Sequence, residues 1–205
     1  MSTVSRTAPA WHRSSTPLNC SIFLTDIAGF GDRRRTDDDR LALRAALQRL
    51  LVRAFEDCGV PWSRCLHQDR GDGLLTVVPP TVSTVPLVDP LLPRLGDRLR
   101  RYNRRSAAGG GLRLRSALHV GPVRRDGSGF PNESIIFAAR LLDARPLRLS
   151  LAESDTDLAT MVSPYVYETV VQQLRGAVTP TAFRRTRCTV KGVPITGWIR
   201  VSRPG

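Results

Sequence analysis

The sequence predicts an α/β chain of the α+β kind, in which helices cover a sheet. Two observations carry this expectation. Short β-rich apolar runs alternate with segments of helical periodicity, and turn signals built from Gly, Asp and Pro separate them along the whole length.

At 205 residues with 41% hydrophobic content, the chain can bury one ordinary core, so a single domain is expected. Residues 1–19 are rich in Ser, Thr, Pro and Arg without apolar periodicity. They read as a disordered tail ahead of a domain over residues 20–202. No stretch approaches the roughly 20 apolar residues of a membrane helix, and the amino terminus lacks a signal-peptide run, which predicts a cytoplasmic protein with no membrane partner. Cys20, Cys58, Cys65 and Cys188 form no CxxC pair and read as reduced, mostly buried thiols. The formal charge of +13 predicts attraction to polyanions, a class that includes nucleotides, nucleic acids and acidic proteins; a high-GC coding sequence would produce the same arginine excess with no functional meaning. The absence of RNA-binding aromatic motifs and of a helix-turn-helix argues against nucleic acid.

The elements follow in order. Ser21 to Thr25 is a buried strand, and Asp26-Ile-Ala-Gly-Phe30 turns away from its end. Asp37, Asp38 or Asp39 caps a helix whose apolar positions Leu43, Leu47, Leu50, Leu51, Ala54 and Phe55 recur at three and four; Gly59 and Pro61 stop it. A second strand is expected around Ser63 to Leu66. It leads through Asp69-Arg-Gly-Asp-Gly73 into Leu74 to Val78, a hairpin with Asp72 at its tip. Leu87 to Arg105 reads as a helix with Arg94, Arg98, Arg101 and Arg105 on a solvated face. Ala107 to Gly111 reads as a flexible loop whose glycines look like a hinge, before a strand at Leu112 to Val120 that ends in His119-Val-Gly-Pro122. Asp126-Gly127 signals a turn, Ser134 to Asp143 a short apolar helix, and Ser163 to Leu174 a further helix. Arg187 to Val190 and Ile195 to Val201 form a closing hairpin through Lys191-Gly-Val-Pro194.

Two acidic loop tips carry the chemistry. Asp26 follows an apolar strand, and Asp72 sits in a glycine-bounded hairpin beside it. Hard divalent cations take such oxygens, and magnesium is commonly held by one or two carboxylates together with substrate phosphates. Either residue taken singly is as well explained as a turn former. His119 reads as a satisfied structural histidine, and nothing resembles a Ser-His-Asp triad or a P-loop.

Phe23-Leu-Thr-Asp-Ile-Ala-Gly-Phe30 resembles the class III nucleotidyl cyclase motif in which a strand ends in a metal-binding aspartate. Arg70-Gly-Asp-Gly-Leu74 is similar to the second metal motif of that family, and the separation of the two aspartates fits. Leu114-Arg-Ser-Ala-Leu-His-Val-Gly-Pro-Val123 resembles its Arg-x-Gly-x-His-x-Gly-x-Val strand. Phe137-Ala-Ala-Arg-Leu141 resembles the helix ending in Ala-x-Arg-Leu, and Lys191 in Thr-Val-Lys-Gly192 a triphosphate-contacting lysine. Together the matches cover about residues 20 to 200.

The resemblance implies a ferredoxin-like βαββαβ core and a head-to-tail homodimer. It implies two divalent metal ions, Mg2+ or Mn2+, at Asp26, Ile27 and Asp72, with Gln68, Gly29, Phe30 and Lys191 binding nucleotide and Arg140 stabilising charge near the α-phosphate. Arg140 and Lys191 would come from the second subunit; alternatively Arg140 is an ordinary helix arginine paired with Asp143. The substrate would be a nucleoside triphosphate, closed to a 3′,5′-cyclic nucleotide with release of pyrophosphate.

The sequence also departs from the pattern. Ile136 stands where the family has its transition-state asparagine, so either Asn132 substitutes from the preceding loop, Ile136 is core, or the pocket no longer catalyses. Gln68 stands in place of the adenine-reading lysine, and the acidic partner falls near Gly129. A neutral amide tolerates several bases, which leaves a pyrimidine cyclase of the phage-defence kind open. The other reading is a catalytically degenerate domain that binds nucleotide or protein.

Overall fold

The computed structural model describes residues 16–106, 110–124 and 132–202. Its frame is a seven-stranded sheet in the order β2-β3-β1-β4-β5-β7-β6. The strands are β1 Leu18–Ile27, β2 Leu66–Asp69, β3 Gly73–Val78, β4 Leu114–Val123, β5 Leu158–Val162, β6 Arg184–Val190 and β7 Val193–Val201. All neighbours are antiparallel except β4 and β5. The helices are α1 Asp37–Asp57, α2 Val85–Val88, α3 Leu91–Asn103, α4 Glu133–Asp143, α5 Arg145–Ala152 and α6 Pro164–Thr169. With α1 and α3, the strands β1 to β4 make the expected βαββαβ core.

β1 is central because both its faces are apolar. Phe23 and Ile27 enter a core with α1, α3 and Val166 of α6; Cys20, Ile22 and Leu24 enter a second core against α4 and α5. This alternation, period two, decides which side chains share a face with the candidate site. Asp26 follows Cys20, Ile22 and Leu24 and therefore looks toward the α4–α5 layer.

Several expectations are corrected. The strand begins at Leu18, where residues 18 and 19 pair with Val123 and Pro122, so the domain takes in the last two residues assigned to the tail. β1 also runs through Asp26 to Ile27, placing Asp26 within the ladder and not after it. Thr36, not an aspartate, caps α1: its hydroxyl accepts the Asp39 N–H, and the Asp39 carboxylate accepts the Thr36 N–H. Residues 62–64 form a 3-10 turn, and β2 starts only at Leu66. The segment Leu87 to Arg105 is interrupted at the cis Asp89-Pro90 bond, and its arginines are not merely solvated: Arg94 donates to the Asp57 carbonyl and Arg98 to the Asp57 carboxylate. Gly121 pairs with Cys20 inside the ladder, and a side chain there would press on Ser134 Oγ at 2.5 Å. The helix expected over Ser163 to Leu174 ends at Thr169, followed by a 3-10 turn at residues 171–173. Neither α5 nor β5 was foreseen. The Asp126-Gly127 turn, Gly129 and residues 107–109 of the small-residue loop lie outside the described residues.

The closing hairpin holds as expected in kind but is longer, with Val190 opposite Val193 across Lys191-Gly192. Both turn residues have positive φ, 50° and 79°, the geometry of a two-residue type I′ connection.

Candidate active site

β1, β3 and β4 meet at one end of the sheet, and their register brings the two aspartates together. Asp26 lies opposite Gly73 on one side and Arg115 on the other. Directly beyond, Ile27 donates its backbone N–H to the Asp72 carbonyl at 2.8 Å. The hairpin can approach this closely because residue 73 is glycine: a methyl group there would fall on the Thr25 carbonyl. Gly71, at φ 88°, turns the chain so that Asp72 stands at the tip, exposed to solvent.

Asp26 is buried, with a side chain 10% exposed, and its Oδ2 accepts from Nη2 of Arg115, itself 17% exposed. Burial lowers the Arg115 pKa, Arg148 adds to the effect and Asp143 opposes it. Arg115 Nε is buried without a partner. Arg115 is the arginine of the strand motif over Leu114 to Val123, to which the sequence assigns no role, and it shares a strand face with the buried Ala117. An ionisable group on a face that must be covered needs a counter-charge, and that was the available signal.

The loop after β1 is held by its own backbone. Gly29, at φ 68°, accepts the Asp32 N–H at 3.1 Å, and Phe30 donates to the Ile27 carbonyl at 3.3 Å. From α1, Arg40 Nε donates to the Phe30 carbonyl at 3.4 Å. Phe30 rests against the first core and Ile27 is buried within it. Gln68 is exposed on the edge strand β2, on the same sheet face as Leu66. It therefore shares a face with Asp26.

The remaining candidates sit on α4 and the closing hairpin. Arg140 is half-buried and lies 3.7 Å from Glu133, not against Asp143. Asp143 instead faces Lys191, whose Nζ is 3.7 Å away and whose side chain is 79% exposed. Ile136 is 44% exposed and is not core. Asn132 does not stand free for substrate: its Oδ1 accepts the Arg124 N–H at 3.1 Å and its Nδ2 donates to the Arg124 carbonyl at 2.6 Å, so its amide clasps the loop before α4. His119 lies against Phe137, its Nδ1 buried and unpartnered, and burial pushes its pKa down to about 4, which corrects the satisfied histidine expected.

Hard oxygen donors at Asp26 and Asp72 fit Mg2+ or Mn2+, which take one or two protein carboxylates and complete their shell with water and phosphate. Among the described residues no group of three or more His, Cys, Asp or Glu converges. A cation here would depend on its phosphate ligand for the rest of its shell.

The guanylyl cyclase Cya2 superposes at a TM-score of 0.63 with 14% identity over 92% of this chain and 95% of that one. The chain has the adenylate and guanylate cyclase fold. An adenylate/guanylate cyclase/hydrolase from Silicibacter pomeroyi gives 0.63 and 18% over 92% and 99% of the two chains. The guanylate cyclase domain of RhGC from Catenaria anguillulae, solved in complex with GTP, gives 0.57 and 16% over 93% and 100%. No family profile and no curated protein matches the sequence. Among the described residues of this cyclase-fold chain, no helix is long and apolar enough to cross a membrane.

Proposed function

We propose that this protein is a nucleotidyl cyclase that converts a nucleoside triphosphate to its 3′,5′-cyclic nucleotide and pyrophosphate. The observation that carries the reading is the joining of the Asp26 end of β1 to the Asp72 hairpin tip by the Ile27–Asp72 backbone bond and the Gly73 approach, on a cyclase fold. Two divalent ions, Mg2+ or Mn2+, would be held by Asp26, Asp72 and the Ile27 position, and would there lower the pKa of the attacking hydroxyl and neutralise phosphate charge. Arg140 stabilises charge developing at the α-phosphate, since its planar fork matches phosphate oxygens and stays ionised. Lys191, exposed at its hairpin tip, takes the β- and γ-phosphates. Gln68 reads the base edge, with the Gly29–Phe30 backbone against the nucleotide. Arg140 and Lys191 act in trans, within a head-to-tail homodimer working in the cytoplasm.

A neutral, exposed Gln68 favours a base read through an amide, and pyrimidine use in phage-defence signalling is the extension we attach to it. The second reading, a degenerate nucleotide-binding or protein-interaction domain, is favoured by Ile136, which presents an apolar, exposed side chain one helical turn before Arg140. The deciding experiment is mass-spectrometric detection of cyclic product from ATP, GTP, CTP and UTP with Mn2+, comparing wild type with Asp26→Ala. Product lost in the variant identifies a cyclase and its base. No product from any of the four overturns the cyclase reading.

A further inference from the structure

We propose that the outer edge of β6 is a docking site for an extended acidic segment of another protein, which adds to the sheet as a further strand with carboxylates at alternate positions. β4, β5 and β7 stand between this edge and β1, and the inference holds whether or not the chain cyclises a nucleotide.

β6 closes one side of the sheet, and its seven residues, Arg184–Val190, pair one to one with β7 without a bulge or a proline. Among the described residues its main chain makes no hydrogen bond outside that ladder. Which groups are left over follows from the turn. A two-residue type I′ connection makes Val190 and Val193 a hydrogen-bonded pair, and bonded and non-bonded pairs alternate from there. Arg185, Arg187 and Thr189 fall at the non-bonded pairs, so their N–H and C=O groups point away from β7. Pro194 agrees with this assignment, since it stands opposite Thr189, where β7 needs no N–H toward β6. Such an unpaired row is a template for one more strand.

The same three residues, two apart along the strand, turn their side chains to one face, and all three are exposed. Arg185 is held in place there: its guanidinium lies 5.5 Å from the ring centre of Trp198, its cross-strand neighbour, and that ring stacks on Tyr167 at 4.5 Å. Among the described residues neither Arg185 nor Arg187 meets a carboxylate, and nor does Arg184 on the opposite face. Backbone row and positive charge thus come from the same residues. A strand laid along them sets its own side chains, two apart, beside two guanidiniums, and Glu or Asp at those places is matched. A second copy pairing through β6 would instead set arginine against arginine. The segments outside the described residues carry a single acidic side chain, Asp126, so the occupant comes from another polypeptide.

The test is binding of a capped synthetic peptide, Thr-Glu-Val-Glu-Val-Glu-Thr, to the full chain, followed by calorimetry and amide hydrogen exchange. The peptide is expected to bind, more weakly as salt rises, and to slow exchange at the N–H groups of Arg185, Arg187 and Thr189 while leaving those of Thr186 and Cys188, already in the ladder, as they were. The Arg185→Glu, Arg187→Glu double variant should bind it about tenfold less tightly or worse. Thr189→Pro deletes one outward N–H and no bond to β7, and a loss of about tenfold is expected there too. Should Thr189→Pro not fold, the peptide supplies the same test: of its two forms methylated at alternate backbone nitrogens, at least one should lose binding. Failure of the parent peptide to bind overturns the proposal, as does equal binding by both methylated forms. Equally tight binding of the counterpart with Lys for Glu, or of a thymidine oligonucleotide of equal charge, also overturns it, the latter making β6 a general polyanion surface. A dimer of this chain that Thr189→Pro dissociates would make a second copy the occupant and overturn the acidic one.

Discussion

Ile27 and Asp72 are joined by a 2.8 Å backbone hydrogen bond that fastens the end of β1 to the tip of the β2–β3 hairpin. Because the bond is between main-chain groups, the spacing of the two aspartates does not depend on the side chains that do the chemistry. It depends on Gly73, whose missing Cβ lets the hairpin close on Thr25.

Gly73→Ala should therefore damage the site through the backbone. The added methyl meets the Thr25 carbonyl, which belongs to a central strand and cannot yield. A loss of about 3 kcal/mol is expected from overpacking of this kind, read as a lower urea midpoint together with weaker Mn2+ binding.

The two aspartates should separate stability from function. Asp72→Asn, at an exposed tip, is expected to change stability by no more than about 0.5 kcal/mol while abolishing metal-dependent turnover. Asp26→Asn leaves Arg115 buried without its counter-charge and should cost about 3 kcal/mol in denaturation experiments. Equal stability of the two variants would contradict the assigned burial of the Asp26–Arg115 pair.

Ile136→Asn tests why the site departs from the cyclase pattern. The position is partly exposed, so the change should be close to neutral in thermal melting. If Arg140 is lacking only a neighbouring donor, kcat should rise by about tenfold or more with little change in KM. An unchanged kcat would mean that the missing amide is not what limits this pocket.

His119 gives the fold a pH dependence with a definite sign. Its pKa falls from 6.5 in the unfolded chain to about 4 in the folded one. Between these values the unfolded state binds more protons, so stability is intact above pH 6.5 and is lost as pH drops toward 4. The loss is expected to reach about 2 kcal/mol, discounted for the part of the ring that water still reaches. Comparing melts of wild type and His119→Asn at pH 7.5 and about pH 4.5 isolates it from His67, which burial also lowers.

Thr36→Ala should cost about 1 kcal/mol, since it removes the hydroxyl that satisfies the Asp39 N–H at the start of α1. Because α1 carries Arg40 to the Phe30 carbonyl, the same variant is expected to raise hydrogen exchange in the loop after β1.

Local pattern alone was enough to locate β1, α1, the β2–β3 hairpin, α4 and the closing hairpin in kind, and to single out Asp26 and Asp72. Strong periodicity and glycine-bounded turns are properties of neighbouring residues, so they survive without a fold. What tertiary structure decided was pairing. Whether Thr36 or an aspartate capped α1 depended on which side chain reached the free N–H groups. The break at Pro90, the full extent of β4 through Gly121, and the unforeseen β5 depended on which strands lay alongside. Asn132 was assigned to chemistry and is engaged in a clasp on Arg124. Arg115 belongs to the strand motif over Leu114 to Val123, but in a chain of charge +13 nothing local assigns that arginine a partner. Only the β1–β4 register, with Asp26 opposite Arg115, turned that residue into the buried partner of the candidate metal ligand, because charge compensation between residues far apart in sequence exists only once the sheet has brought them together.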